Sequence, residues 1–88
     1  MQQFVTYILY SSKFDKIYIG YTSDLITRFN SHNKLANKGY TKKFRPWVVI
    51  HIEFFNSKLS AMNREKQLKS SRGRNFIHTT ILPRFKNL

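Results

Sequence analysis

Two runs of β-branched and aromatic residues, Phe4-Val5-Thr6-Tyr7-Ile8-Leu9-Tyr10 and Ile17-Tyr18-Ile19-Gly20-Tyr21, flank a short polar connection from Ser11 to Lys16. Residues of this kind suit a pleated, half-buried surface, and so short a connection joins the two runs as a β-hairpin. Gly20 brings no side chain to its strand, which points either to close approach by another backbone or a ligand phosphate, or to a plain strand end. With 88 residues there is room for one core, so residues 1–88 are expected to form a single domain. The chain has no cysteine, which excludes a disulfide framework and a thiolate metal site. A reducing, cytoplasmic compartment is the expectation that follows.

Further along, Ser23 or Asp24 can cap a helix through His32, with Leu25, Ile26 and Phe29 as its apolar face. Arg28 and His32 then project from one polar face. Asn30 to Lys43 contains Gly39 and several lysines without an acid, and reads as a mobile basic loop. After Pro46 comes a third strand, in which the apolar row Val48, Ile50, Ile52 and Phe54 alternates with a mixed row of Trp47, His51 and Glu53. A helix should start near Asn56 or Ser57 and run to Lys69, broken by Ser70-Ser71-Arg72-Gly73. A short last helix from about Arg74 to Leu82 would be stopped by Pro83.

Sixteen Lys and Arg oppose four Asp and Glu, a formal charge of +12. Self-repulsion on that scale is tolerated chiefly when the partner is a polyanion, with nucleic acid foremost. The basic residues do not share one amphipathic helix, the apolar runs are too short to span a bilayer, and Met1-Gln2-Gln3 lacks the positive charge of a signal peptide. No membrane association is expected.

Scarcity makes each acid informative. Glu65 shares its predicted helical stripe with Ala61, Met62 and Leu68, where an apolar contact would ordinarily sit. A carboxylate there is explained if it faces a cleft and holds a hard divalent cation, or if it pairs with Lys69 one turn on. A restriction-enzyme site, with an Asp followed by Glu-x-Lys, is missing: Glu53 precedes Phe54-Phe55 and Glu65 precedes Lys66-Gln67. The three histidines, His32, His51 and His78, are too scattered for a histidine metal centre. Lys38-Gly39-Tyr40 begins like an aromatic RNA-binding strand motif but departs from it at Thr41-Lys42-Lys43.

The order Thr6-Tyr7, ten residues, Tyr18-Ile19-Gly20, seven residues, Arg28, three residues, His32, and later Glu65 closely resembles the GIY-YIG nuclease family over nearly the whole chain. The second half of that name stands intact as Tyr18-Ile19-Gly20, whereas the first has become Val5-Thr6-Tyr7 and keeps its tyrosine. Tyr21-Thr22-Ser23-Asp24-Leu25, His32-Asn33, Tyr40-Thr41, Arg45-Pro46 and Arg64-Glu65-Lys66-Gln67-Leu68-Lys69 resemble its small stand-alone bacterial branch. The resemblance implies an α+β fold, a small three-stranded antiparallel sheet flanked by helices in the order β-β-α-β-α-α. The activity it implies is metal-dependent endonucleolytic hydrolysis of phosphodiesters, most naturally in DNA and in repair or recombination.

Under that resemblance Glu65 would hold Mg²⁺ or Mn²⁺, and the permanently charged fork of Arg28 would meet the extra negative charge of the transition state. Tyr7 or Tyr18 would take a proton from water, Tyr7 being favoured, provided nearby positive charge lowers its phenol. His32 would bond a tyrosine hydroxyl or the phosphate, or else be a surface histidine at a helix end. Asn75 is the candidate for an asparagine that many members carry after the glutamate, and could equally cap the last helix. Nucleic-acid contacts are expected from Gly20, Lys34, Lys38, Tyr40, Lys42, Lys43, Arg45, Arg64, Lys66, Lys69, Arg72 and Arg74. A homodimer or protein partner would supply the specificity that relatives take from an appended domain. The rival expectation is a non-catalytic basic nucleic-acid-binding module on the same fold.

Overall fold

The computed structural model describes residues 3–35 and 40–87, the side chains of residues 34 and 35 excepted. Strands β1 (Phe4–Ser11) and β2 (Lys16–Thr22) form the expected hairpin, in register from Val5 opposite Thr22 to Ser11 opposite Lys16. Asp15 turns the chain with a positive φ of 54°, a conformation aspartate tolerates, and its carboxylate accepts a 2.9 Å hydrogen bond from the Tyr10 hydroxyl.

Strand β3 (Val48–Phe55) joins the other side of β1, giving a three-stranded antiparallel sheet of order β2-β1-β3. The architecture is α+β, as expected. β1, at the centre, is covered on both faces. Toward one side Ile8 packs with Ile19, Leu68, Ile77 and Ile81. Toward the other Val5, Tyr7 and Leu9 pack with Trp47, and with Leu25, Phe29, Phe44 and Val49 at the margin.

Helix α1 (Leu25–Asn30) is capped by Asp24, whose carboxylate accepts from both the amide and the hydroxyl of Thr27. Those hydrogen bonds hold the Asp24 carboxyl below its ordinary pKa. Leu25 and Phe29 reach the core, but Ile26 is 77% exposed and is not part of the buried face. The chain then continues in a wider helical turn, Ser31–Leu35, and a short helix α2 (Tyr40–Lys43) precedes β3. The expected basic loop is therefore helical at both ends. The Ser31–Leu35 turn has an identifiable anchor: Asn33 Nδ2 donates to the Trp47 carbonyl at 2.9 Å while Asn33 Oδ1 accepts from the Trp47 amide at 2.6 Å.

The simple alternation expected for the third strand is also corrected. A bulge shifts the register between Ile8 and Leu9, so Leu9 faces Val49 and Tyr7 faces Ile52. Val49 and Ile52 thus share a sheet face that strict alternation would deny them. Of the apolar row, Val48, Ile52 and Phe54 are exposed on this edge strand, whereas Trp47 of the mixed row is buried.

Helix α3 (Lys58–Lys69) starts at the N-cap Ser57 and ends at Ser70, which in turn caps α4 (Ser71–Phe76). Gly73 permits that tight junction, because a Cβ there would collide with the backbone of Gln67 and Leu68. The last helix begins earlier and runs farther than expected, through a wide turn at Ile77–Ile81 into α5 (Leu82–Lys86). Pro83 does not stop it. In the wide turn the Leu82 amide reaches back to the Ile77 carbonyl, and the proline enters the first turn of the following segment.

Candidate active site

The hairpin, α1 and α3 meet around an open cleft of about 630 Å³ whose walls include Tyr7, Tyr18, Gly20, Arg28, Lys58 and Glu65. Each is delivered by a local feature of the sequence. Tyr7 and Gly20 are opposite one another in the β1–β2 ladder, and the Tyr18 ring lies 6.3 Å from that of Tyr7. Arg28 stands one turn beyond the Asp24 cap, its amide bonded to the Asp24 carbonyl at 3.1 Å. Glu65 stands one turn beyond Ala61, whose carbonyl accepts a 2.8 Å hydrogen bond from the buried Thr6 hydroxyl of β1. Thr6 thus ties the helix that carries Glu65 to the strand that carries Tyr7.

Tyr7 Oη and His32 Nε2 are 2.9 Å apart, joined by a hydrogen bond whose direction follows the imidazole tautomer. Tyr7 is 1% and His32 7% exposed, so the surface role considered for His32 is set aside. Arg45 Nε donates to the His32 carbonyl at 2.7 Å, and Asn33 is bound to Trp47 on the adjoining residue. These contacts fix the backbone that presents the imidazole. Asn33 and Trp47 were not singled out as site residues from sequence, although the Asn directly after His32 was the available signal.

Burial pushes the Tyr7 phenol well above its ordinary value, and the charges of Tyr18 and Glu65 add to that, outweighing the lowering by Arg28. Tyr18 is raised too, by burial first and with Arg28 and Glu65 acting in opposite senses. Arg28 alone therefore leaves both phenols above their ordinary value. His32 moves the other way: burial, then Arg28 and Arg45, hold its imidazole below its ordinary pKa and hence neutral at pH 7.

Glu65 has a side chain 18% exposed and is the acid on the cleft wall, and it also makes a 3.7 Å pair with Lys69. The cleft and ion-pair explanations hold together. No group of three or more His, Asp or Glu comes together among the described residues. One carboxylate with phenolic oxygens nearby is a hard donor set, suited to a divalent cation that retains several waters. The residues present fit such an ion.

Not every expected residue reaches the cleft. Asn75 is exposed on α4, and its carbonyl accepts from the Thr79 hydroxyl at 2.8 Å. Gly20 lines the cleft and is also close to the Tyr7 ring: a Cβ there would lie 2.5 Å from Tyr7 Oη. Arg64 forks onto Glu53 through 2.9 and 3.1 Å bonds, so its guanidinium is engaged within the protein. Arg45 holds the carbonyls of Ser31 and His32. Arg74 Nε caps the Lys69 carbonyl at 3.1 Å. Lys42, Lys43, Lys66, Lys69 and Arg72 are exposed, as is Tyr40. Lys38 and the side chain of Lys34 lie outside the described residues. Lys58, on the cleft wall at the start of α3, was missed because nothing in sequence separated it from other surface lysines.

Comparison with known proteins gives the same picture. Residues 3–77 match the GIY-YIG catalytic domain. A UPF0213 protein of Staphylococcus haemolyticus is 40% identical over 58 residues, 66% of this chain and 71% of its own. A UPF0213 protein of Haloquadratum walsbyi is 34% identical over 56 residues, 64% of this chain and 63% of its own. The chain thus spans about two thirds of the length of these curated relatives. The solution NMR structure of a UPF0213 protein from Bacillus halodurans superposes with a TM-score of 0.56 at 27% identity, covering 97% of this chain and 93% of that one. With the two tyrosines, the arginine and the glutamate of the motif gathered on one cleft and the domain match spanning most of the sequence, the chain belongs to the GIY-YIG nuclease family.

Proposed function

We propose that the protein is a divalent-metal-dependent endonuclease that hydrolyses phosphodiester bonds of DNA. The observation that carries this is the meeting of Tyr7, Tyr18, Arg28 and Glu65 on one cleft, with His32 bonded to Tyr7 behind it. Glu65 would hold Mg²⁺ or Mn²⁺, which when bound supplies charge neutralisation at the phosphate.

The protein's own groups do the rest. Arg28 receives the phosphate through its planar fork and matches the charge that grows in the transition state. Water forms the new phosphorus–oxygen bond as the ester phosphorus–oxygen bond breaks; the attacking water must lose a proton, and the leaving oxygen takes one up from solvent. The raised Tyr7 phenol is a poor base alone, but neutral His32 can accept the Tyr7 proton through Nε2 while Tyr7 takes one from water. Tyr18 orients the water or the phosphate. Asn75 takes no part in these steps.

A charge of +12 supports a polyanionic substrate. No helix among the described residues is long and apolar enough to cross a membrane. The proposal extends to a cytoplasmic role in repair or recombination, with a homodimer or protein partner adding specificity. Cleavage of labelled duplex, single-stranded, flap and branched DNA in Mg²⁺, Mn²⁺ or EDTA tests it. Metal-dependent cutting is expected. Tight, salt-sensitive binding without cutting of any substrate would replace the nuclease with the binding module.

A further inference from the structure

A second concavity, of about 370 Å³, opens along β2 and is lined by Ile17, Tyr18, Ile19, Tyr40, Lys69 and Arg74. Its volume falls within the range of about 300–1,000 Å³ typical of small-molecule sites. β2 is an outer strand of the sheet, so this flank of its main chain has no strand beside it among the described residues. The Tyr40 ring forms one wall and is 46% exposed. It is nevertheless held in place, with Phe44 at 4.8 Å, Trp47 at 5.9 Å and Tyr18 at 6.5 Å between ring centres. Its hydroxyl donates to the Ile17 carbonyl at 3.3 Å. The lining also holds two cations, Lys69 and Arg74, the latter anchored by its Nε to the Lys69 carbonyl.

This notch adjoins the cleft. Tyr18 lines both. Glu65 on the cleft and Lys69 in the notch are an ion pair at 3.7 Å. Tyr18 and the Glu65–Lys69 pair thus stand where the cleft and the notch border each other.

We infer that the notch is a nucleotide subsite that takes one unpaired nucleotide beside the scissile phosphodiester, its base against the Tyr40 ring and its phosphate between Lys69 and Arg74. The inference rests on the nuclease reading and narrows its substrate class. Cations alone would serve a duplex backbone equally well. An exposed, buttressed ring adds something further, because the flat faces of bases are hidden in a duplex and become available only when a base is unstacked. Single strands, flaps and frayed ends carry such a base; an intact duplex does not.

The test measures binding, so that it stands apart from cleavage. Labelled oligothymidylate and oligouridylate of about ten nucleotides, and a DNA duplex of equal length, are titrated in EDTA and followed by fluorescence anisotropy. Wild type, Tyr40→Phe, Tyr40→Leu and the pair Lys69→Gln and Arg74→Gln are compared. Tyr40→Leu is expected to weaken single-strand binding by about five- to a hundredfold and leave duplex binding unchanged, while Tyr40→Phe keeps wild-type affinity. Should Tyr40→Leu fail to fold by circular dichroism, the two cation variants decide: each should flatten the single-strand salt slope by about 0.7 and the duplex slope by less. A loss on oligothymidylate, oligouridylate or both that the duplex does not share supports the subsite. Equal losses on single strand and duplex, or none, overturn it. Absence of metal-dependent cutting by wild type would overturn the nuclease reading without altering these binding ratios.

Discussion

Tyr7 and Gly20 face each other across the β1–β2 ladder, and the bare Cα of Gly20 is the floor on which the Tyr7 ring lies. A Cβ added at Gly20 would stand 2.5 Å from Tyr7 Oη and 2.7 Å from Cζ. Since the ring is buried and its hydroxyl is tied to His32, it cannot yield without disturbing the cleft. Gly20→Ala should therefore lower stability by about 1–3 kcal/mol and depress cleavage through displacement of Tyr7. Chemical denaturation with cleavage kinetics on the same preparation checks both effects.

The Tyr7–His32 bond sets a pH dependence. His32 must be neutral to accept a proton, and its pKa lies below the ordinary 6.5 because of burial, Arg28 and Arg45. The cleavage rate of wild type should rise with pH on the acid side of 6.5 and level off by neutrality. His32→Ala should cost about 10²–10⁴ in rate and remove that acid limb. The same shift affects stability: a histidine whose folded pKa is depressed contributes stability above 6.5, lost as acidification protonates the unfolded chain first. A wild-type acid limb that persists unchanged in His32→Ala would contradict the role of His32.

Arg64 is predicted to act on the fold rather than on nucleic acid. Burial pushes the Glu53 carboxyl up, but hydrogen bonds and charge from Arg64 and His51 outweigh it and hold the group below its ordinary 4.5. That stability is present above 4.5 and is lost as pH falls through the folded value. Arg64→Ala should destabilise by about 1–2 kcal/mol, between exposed and fully buried pairs. The salt dependence of DNA binding should not change. A changed salt slope at unchanged stability would return Arg64 to the nucleic-acid face.

Lys58 is predicted to make a phosphate contact, since it lines the cleft at the start of α3. Lys58→Ala should weaken binding similarly on all sequences and reduce the duplex salt slope by about 1. Filter binding across salt concentrations gives the slope directly.

How much could be read from sequence depended on whether one local rule acted alone. The hairpin was legible because Phe4–Tyr10 and Ile17–Tyr21 are runs with one preference, and the caps Asp24 and Ser57 because capping is a short-range bond. Glu65 stood out because acids are scarce and its helical stripe is otherwise apolar. The faces of β3 were not legible, since a bulge at one step inverts the alternation and no residue there announces it. The ordering of the segment around Asn33 depends on a bond to Trp47, fourteen residues away in sequence. The engagement of Arg64 and the raised phenols of Tyr7 and Tyr18 are likewise tertiary effects, set by partners and burial that composition does not reveal.

The most direct measurement compares wild type with Glu65→Ala for cleavage in Mg²⁺ or Mn²⁺ and for binding in EDTA, using a substrate that wild type cuts. The account predicts that the variant loses metal-dependent cleavage while binding DNA as tightly as wild type or more tightly, because a metal ligand and a negative charge leave the cleft together. Cleavage by Glu65→Ala at the wild-type rate would contradict it.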